Sequence, residues 1–156
     1  MFNITKVFAA TAAAATLAIM GSAASAATLT FYDDVLDADR VTIDCASCSG
    51  YSDEGWVNAT GTADLYPNAG GIQDEVDFVN GALGENLFMV EDASKTELTP
   101  GANNYTIEAS AASYILIKIG SGGGESIGLI RNDSGAAQDY VFTNLCSANE
   151  QCSGGG

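Results

Sequence analysis

Histidine is absent from this 156-residue chain, and lysine and arginine together number only 5. The first absence removes Ser-His-Asp and Cys-His nucleophile pairs, His-ligated metals and covalent haem attachment. The second argues against nucleic acid as a partner, because backbone affinity comes from Lys and Arg neutralising phosphates. Anionic membrane surfaces are disfavoured for the same reason. A bilayer-length span is also missing: Val7 to Met20 falls short of the ~20 apolar residues a crossing helix needs. No internal repeat with a period of about 20–50 residues is present, so a solenoid or propeller is not indicated.

What is present begins with an export signal. Met1 to Lys6 is a short basic segment, and the Ala-rich apolar stretch from Val7 to Met20 follows it. Gly21 to Ala26 supplies small side chains, with Ala24-Ser25-Ala26 as the cleavage triplet. The alternative, an uncleaved anchor, is disfavoured by the short run. The expected organisation is a secretion signal over 1–26, a β-sandwich domain over 27–150 and a Gly-rich tail over 151–156. No stable membrane insertion is expected once the signal is removed. A mature chain of this size buries roughly two thirds of its unfolded surface, enough for one core. Loss of Lys6 leaves Arg40, Lys95, Lys118 and Arg131 against 20 carboxylates, so the net charge moves from −15 to −16.

Cys45, Cys48, Cys146 and Cys152 lie beyond the signal. Outside the cytosol an even count reads first as two disulfides. Local pairs, Cys45–Cys48 and Cys146–Cys152, would each bracket a Ser/Ala-rich turn and are favoured. Crossed pairs would close loops of about 100 residues and remain open on sequence grounds. A four-cysteine zinc site and thioredoxin-like redox chemistry are weaker readings. The gap before Cys152 exceeds the usual zinc spacing, and no helical pattern follows Cys48 to lower a thiol pKa.

Strand signals dominate the rest. Thr28 to Tyr32, Val41 to Asp44, Trp56 to Thr60, Ala63 to Tyr66, Leu87 to Val90, Tyr105 to Glu108, Tyr114 to Ile119, Ser126 to Arg131 and Asp139 to Thr143 all read as strands. Gly, Asn, Asp and Ser punctuate them at sandwich-like intervals. Ile115, Ile117 and Ile119 share one face of the strongest run, and Lys118 is expected to extend its stem over the other with its amine in water. Between Ile72 and Leu83 the apolar spacing turns helical, with Asp74 as expected N-cap and Gly81 as expected stop. The Asp74-Glu75-Asp77 cluster then faces the positive end of the helix dipole, which is preferred to a catalytic role. Gly120 to Gly124 is expected to connect two strands as a hairpin loop. The expected fold is all-β: a jelly-roll-like sandwich with one short helix.

Carboxylates are the abundant reactive groups. Asp33, Asp34, Asp37 and Asp39 crowd one loop, with Asp44 close behind, and such hard oxygen donors are what calcium accepts. EF-hand spacing is absent, and a solvated acidic loop is the plainer reading. Tyr51, Trp56 and Tyr66 fall in one region with Asp53 and Glu54, a combination suited to stacking on sugars. A lone Trp in a small β domain is more often a core anchor. No Glu or Asp stands in a glycosidase motif.

The order of features, an Ala-rich signal ending before Thr28-Leu29-Thr30-Phe31, the Glu75-Val76-Asp77-Phe78-Val79-Asn80 helix, the Tyr114 to Gly120 strand and a Gly-rich loop, resembles small exported bacterial proteins with PEP-CTERM or VPLPA sorting tails. The tail itself, a Pro motif, apolar span and basic cluster, does not occur in this sequence. The resemblance implies an exported, envelope-associated protein and supplies no active-site residues. The expectation is a non-catalytic cell-surface or extracellular-matrix protein, secreted or surface-bound, with an acidic, candidate calcium-binding surface. Polysaccharide or other matrix components are its expected partners. A carbohydrate-binding module is the alternative, and a small glycoside hydrolase or lyase the third reading.

Overall fold

In the computed structural model, which describes residues 6–9, 26–95, 105–111, 113–119 and 125–143, two sheets stack face to face. The strands in chain order are β1 (Lys6–Ala9), β2 (Ala27–Asp33), β3 (Ala38–Cys45), β4 (Cys48–Ser52), β5 (Gly55–Asn58) and β6 (Thr62–Asp64). Helix α1 (Ile72–Leu83) follows, then β7 (Ala93–Lys95), β8 (Tyr105–Ala109), β9 (Ser113–Lys118), β10 (Ile127–Asn132) and β11 (Gln138–Thr143). One sheet has the order β5-β4-β10-β9-β1-β7 and the other β6-β2-β3-β11-β8. Neighbours pair antiparallel except β2 and β6, which run parallel. Only β2–β3, β4–β5 and β9–β10 follow one another within a sheet; every other connection between consecutive strands changes sheets, and the chain wraps as a jelly-roll-like sandwich with one short helix. Cys146, Cys152, the loop 120–124 and the tail 151–156 lie outside the described residues.

Alternation in β2 and β3 explains the first core. Leu29, Phe31, Val41 and Ile43 turn inward from one sheet, and Ile115, Ile117 and Ile130 meet them from the other. Gly128 sits opposite Phe31: a Cβ there would lie 2.7 Å from the ring, so the absent side chain gives the ring its space. The continuous apolar runs of β9 and β10 have a separate cause. Their outward residues Leu116, Ile127 and Leu129 pack under Val76 and Val79 of α1, so this sheet is buried on both faces.

Three local expectations need correction, and one strand is additional. Helix α1 spans the expected residues, but Gly71 is its N-cap, Asp74 lies inside it, and Gly84, at φ 70°, ends it. Glycine suits that left-handed position. Lys118 does not hold its amine in water: Nζ donates to the Ala69 carbonyl at 2.9 Å and meets Glu75 Oε1 at 3.3 Å. Leu87 to Val90 forms no strand, because Leu87 and Met89 stay exposed and only Phe88 is drawn into the core. Cys48 to Ser52, for which the sequence predicts no strand, forms β4. Its small residues suit close approach, since a Cβ on Gly50 would strike Ala63 and Leu29.

Part of the expected secretion signal has a place in the sheet. Lys6 to Ala9 pairs with β9 on one side, from Lys6 opposite Leu116 to Ala9 opposite Ser113, and with β7 on the other. No described helix is long and apolar enough to cross a membrane.

Candidate functional site

Strand pairing gathers the three aromatic residues expected as a glycan-binding set. Tyr51 on β4 lies directly opposite Trp56 on β5. Their rings meet edge-on with centroids 5.5 Å apart, and Tyr66, just after β6, lies 5.6 Å from Tyr51. Gly50 points into the first core, so the period-two alternation turns Tyr51 to the outer face, beside α1. Phe78 of α1 closes over Tyr66 at 5.2 Å, and Tyr114 of β9 adds a ring 6.0 Å from Trp56.

A cation completes the ledge. Arg131 of β10 lies over the Trp56 ring at 4.6 Å, and its Nε is 2.5 Å from Asp133 Oδ1. The Ser49 hydroxyl donates to the other Asp133 oxygen. This ion pair is partly exposed, so its role is chiefly to set the plane of the guanidinium. Burial, with Asp53 and then Asp64 nearby, pushes the Tyr66 hydroxyl well above the usual phenol range. Asp64 also accepts the Asp53 amide at 3.0 Å. Trp56 and both tyrosines are half-buried: Tyr51 and Trp56 pack against the second apolar cluster, and all three retain some solvent contact. Such a ledge can pack a helix or present a shallow stacking surface edged by carboxylates and a guanidinium.

The acidic loop is arranged differently from a calcium cage. Asp33 is fully buried at the end of β2. One oxygen lies 2.5 Å from the Arg40 guanidinium, and the other accepts the Val35 and Leu36 amides at 3.1 Å. Asp34, Asp37 and Asp39 remain exposed. Asp37 accepts from Tyr32, and this bond leads the causes that push the Tyr32 hydroxyl up to about 12. Asp44 accepts the Thr28 hydroxyl at 2.7 Å. Among the described residues, no three His, Cys, Asp or Glu side chains come together to hold a metal ion.

Cys45 and Cys48 form a disulfide that joins the end of β3 to the start of β4 and so ties one sheet to the other. Both residues are buried. Gln138 secures the intervening turn: its Oε1 accepts the Ala46 and Ser47 amides at 2.8 and 3.1 Å. Its amide protons are shared among the Ser47 carbonyl, Asn132 Oδ1 and the Tyr140 hydroxyl. Strand β4, not a helix, follows Cys48, so the helix N-terminus that activates thioredoxin-type thiols is missing from this pair.

Sequence reasoning found Tyr51, Trp56 and Tyr66 but missed Arg131, Phe78 and Tyr114. The available signal was register, since Arg131 and Tyr114 are directly opposed on β10 and β9. The sequence predicts no strand over Cys48 to Ser52, and that strand, lying between β10 and β5, brings them beside Trp56. No protein-family model, curated protein or solved structure matches this chain.

Proposed function

We propose that this chain is an exported, non-catalytic cell-surface or extracellular-matrix protein, stable in an oxidising environment and strongly acidic at its surface. The observation that carries the reading is the buried Cys45–Cys48 bridge between the two sheets. A disulfide built into the core belongs to a protein that folds outside the reducing cytosol, in agreement with the signal-like first 26 residues. The buried ionic groups described above also have structural employment: Asp33 with Arg40, and Glu75 with Lys118. The test is the intact mass of the natural product before and after reduction and alkylation, together with fractionation of the host. A chain beginning at Ala27, with no free thiols and recovered outside the cytosol, supports the reading. A full-length cytosolic chain with free thiols overturns it.

A second reading, a carbohydrate-binding module, is favoured by the aromatic ledge of Tyr51, Trp56 and Tyr66 with Arg131. Retention on polysaccharide resin tests it. Trp56→Ala should abolish retention while the domain stays folded, whereas unfolding of that variant marks Trp56 as a packing anchor.

A further inference from the structure

We infer that removal of the leader opens a slot one strand wide between β9 and β7. That slot takes an extended, apolar, carboxylate-free segment of another polypeptide. The inference rests on the export reading, because it needs cleavage after Ala26.

The slot follows from the pairing. Strand β1 lies between β9 and β7, antiparallel to both, so those two strands stand about two sheet spacings, or ~10 Å, apart. Cleavage at Ala26 removes β1 with the leader. It leaves β9 with one hydrogen-bonded neighbour in its sheet, β10, and withdraws from β7 its described ladder. The uncovered edge is not built to remain open. Along it, Ile115 and Ile117 point into the inter-sheet core, while Leu116 points toward α1, and all three are almost wholly buried. Soluble proteins blunt exposed edges with charge, proline or bulges. Strand β9 carries only Lys118, whose amine is engaged by Glu75 and Ala69 at one end.

Two observations select the occupant. A slot bordered by strands on both sides admits a single strand and excludes the edge of another sheet, whose next strand would collide with β7. Charge selects further: the processed chain carries −16, which disfavours carboxylates, and the segment seated there, Lys6-Val7-Phe8-Ala9, has none; its lysine lies opposite Lys95 of β7, so positive charge is not what the slot selects. Like charge repels across such an interface. The recognition mode is strand addition, in which main-chain hydrogen bonds give affinity and alternate side chains give selectivity.

The experiment uses the natural exported product and the full-length precursor, with a synthetic peptide of residues 5–10 as probe. Intact mass is recorded first. The processed product should bind the peptide with affinity roughly tenfold above that for the same peptide with Val7→Pro, because the Val7 amide meets a strand on either side. The precursor, with its slot filled, should not bind. Those amides of 113–116 that face β1 should exchange faster in the processed product and regain protection with peptide, while those bonded to β10 stay protected. Retention of residues 1–26 in the product overturns the export reading and this inference together. A processed product that binds the proline peptide equally well overturns the inference alone. So does a product whose β1-facing amides in 113–116 are protected without peptide, whether by closure of β7 onto β9 or by a second copy seen as a dimer in sedimentation.

Discussion

Asp33 and Arg40 face each other across the β2–β3 hairpin, 2.5 Å apart and both withdrawn from water. Two amides of the hairpin turn bind the same carboxylate, so this aspartate organises the loop that its neighbours share. Removing one partner of a buried pair leaves an uncompensated charge. Arg40→Met should therefore cost about 3–5 kcal/mol, and Asp33→Asn a comparable amount. Replacing both by apolar residues should cost less than either single change. Urea unfolding of the three variants checks this. The same losses should appear with and without millimolar calcium, because Asp33 can become a metal ligand only by giving up Arg40. Rescue of the wild-type hairpin by calcium beyond the effect of matched ionic strength would contradict that assignment.

Glu125 meets the same hairpin from β10's side, accepting the Asp34 amide at 3.3 Å. Burial raises its pKa above 4.5; the Asp34 amide opposes the rise, and Asp33, Asp34 and Asp64 add to it. A folded-state pKa above the unfolded value means the native state holds the proton longer. Ionisation therefore removes stability as pH rises through the interval between 4.5 and the folded pKa. Glu125→Gln keeps an acceptor for Asp34 and loses the charge. Its Tm should exceed that of the wild type at neutral pH, and the gain should shrink to nothing below about pH 4. Paired melts across this range test the sign. A variant that is less stable than the wild type at neutral pH would refute it.

The sandwich was legible because β2, β3, β9, β10 and β11 carry strong apolar periodicity, and that signal follows directly from burial. The helix was legible for the same reason, from Val76 and Val79. Its ends were not: Gly70 and Gly71 let the chain enter two residues before Asp74, and Gly81 fits inside a helix that Gly84 stops. Strand β4 was hidden because Gly50 owes its place to crowding by Leu29 and Ala63 from the other sheet, which local sequence does not contain. Of the candidate sites, the aromatic trio was correctly placed together because Tyr51 and Trp56 are close in sequence. The inward turn of Asp33 was not legible, because counting carboxylates cannot show which one turns inward. Lys118 misled likewise, since its partner Glu75 lies 43 residues away.

That Lys118–Glu75 pair fixes the entry to α1, because the same amine also binds the Ala69 carbonyl. Lys118 is 29% exposed, which reduces its value below that of a fully buried pair. Lys118→Met should cost about 1–2 kcal/mol, and hydrogen exchange should show loosening confined to α1 and the loop before it. Uniform loosening across both sheets would place the lysine in the global core instead.

Gln138 supports the disulfide turn without touching sulfur. Gln138→Leu removes the acceptor for the Ala46 and Ser47 amides and the partner of the Tyr140 hydroxyl. Leaving such groups unsatisfied costs about 1–3 kcal/mol each where water cannot reach them. The expected loss is at least about 2 kcal/mol, measured in the oxidised protein so that Cys45–Cys48 stays intact. Because the glutamine fixes the turn geometry, Gln138→Leu should also make the bridge easier to reduce, seen as faster opening by a fixed concentration of dithiothreitol. Stability lost with no change in that rate would assign Gln138 to the polar network of Asn132 and Tyr140 alone. Faster reduction would show that the staple between the sheets depends on one side chain of β11.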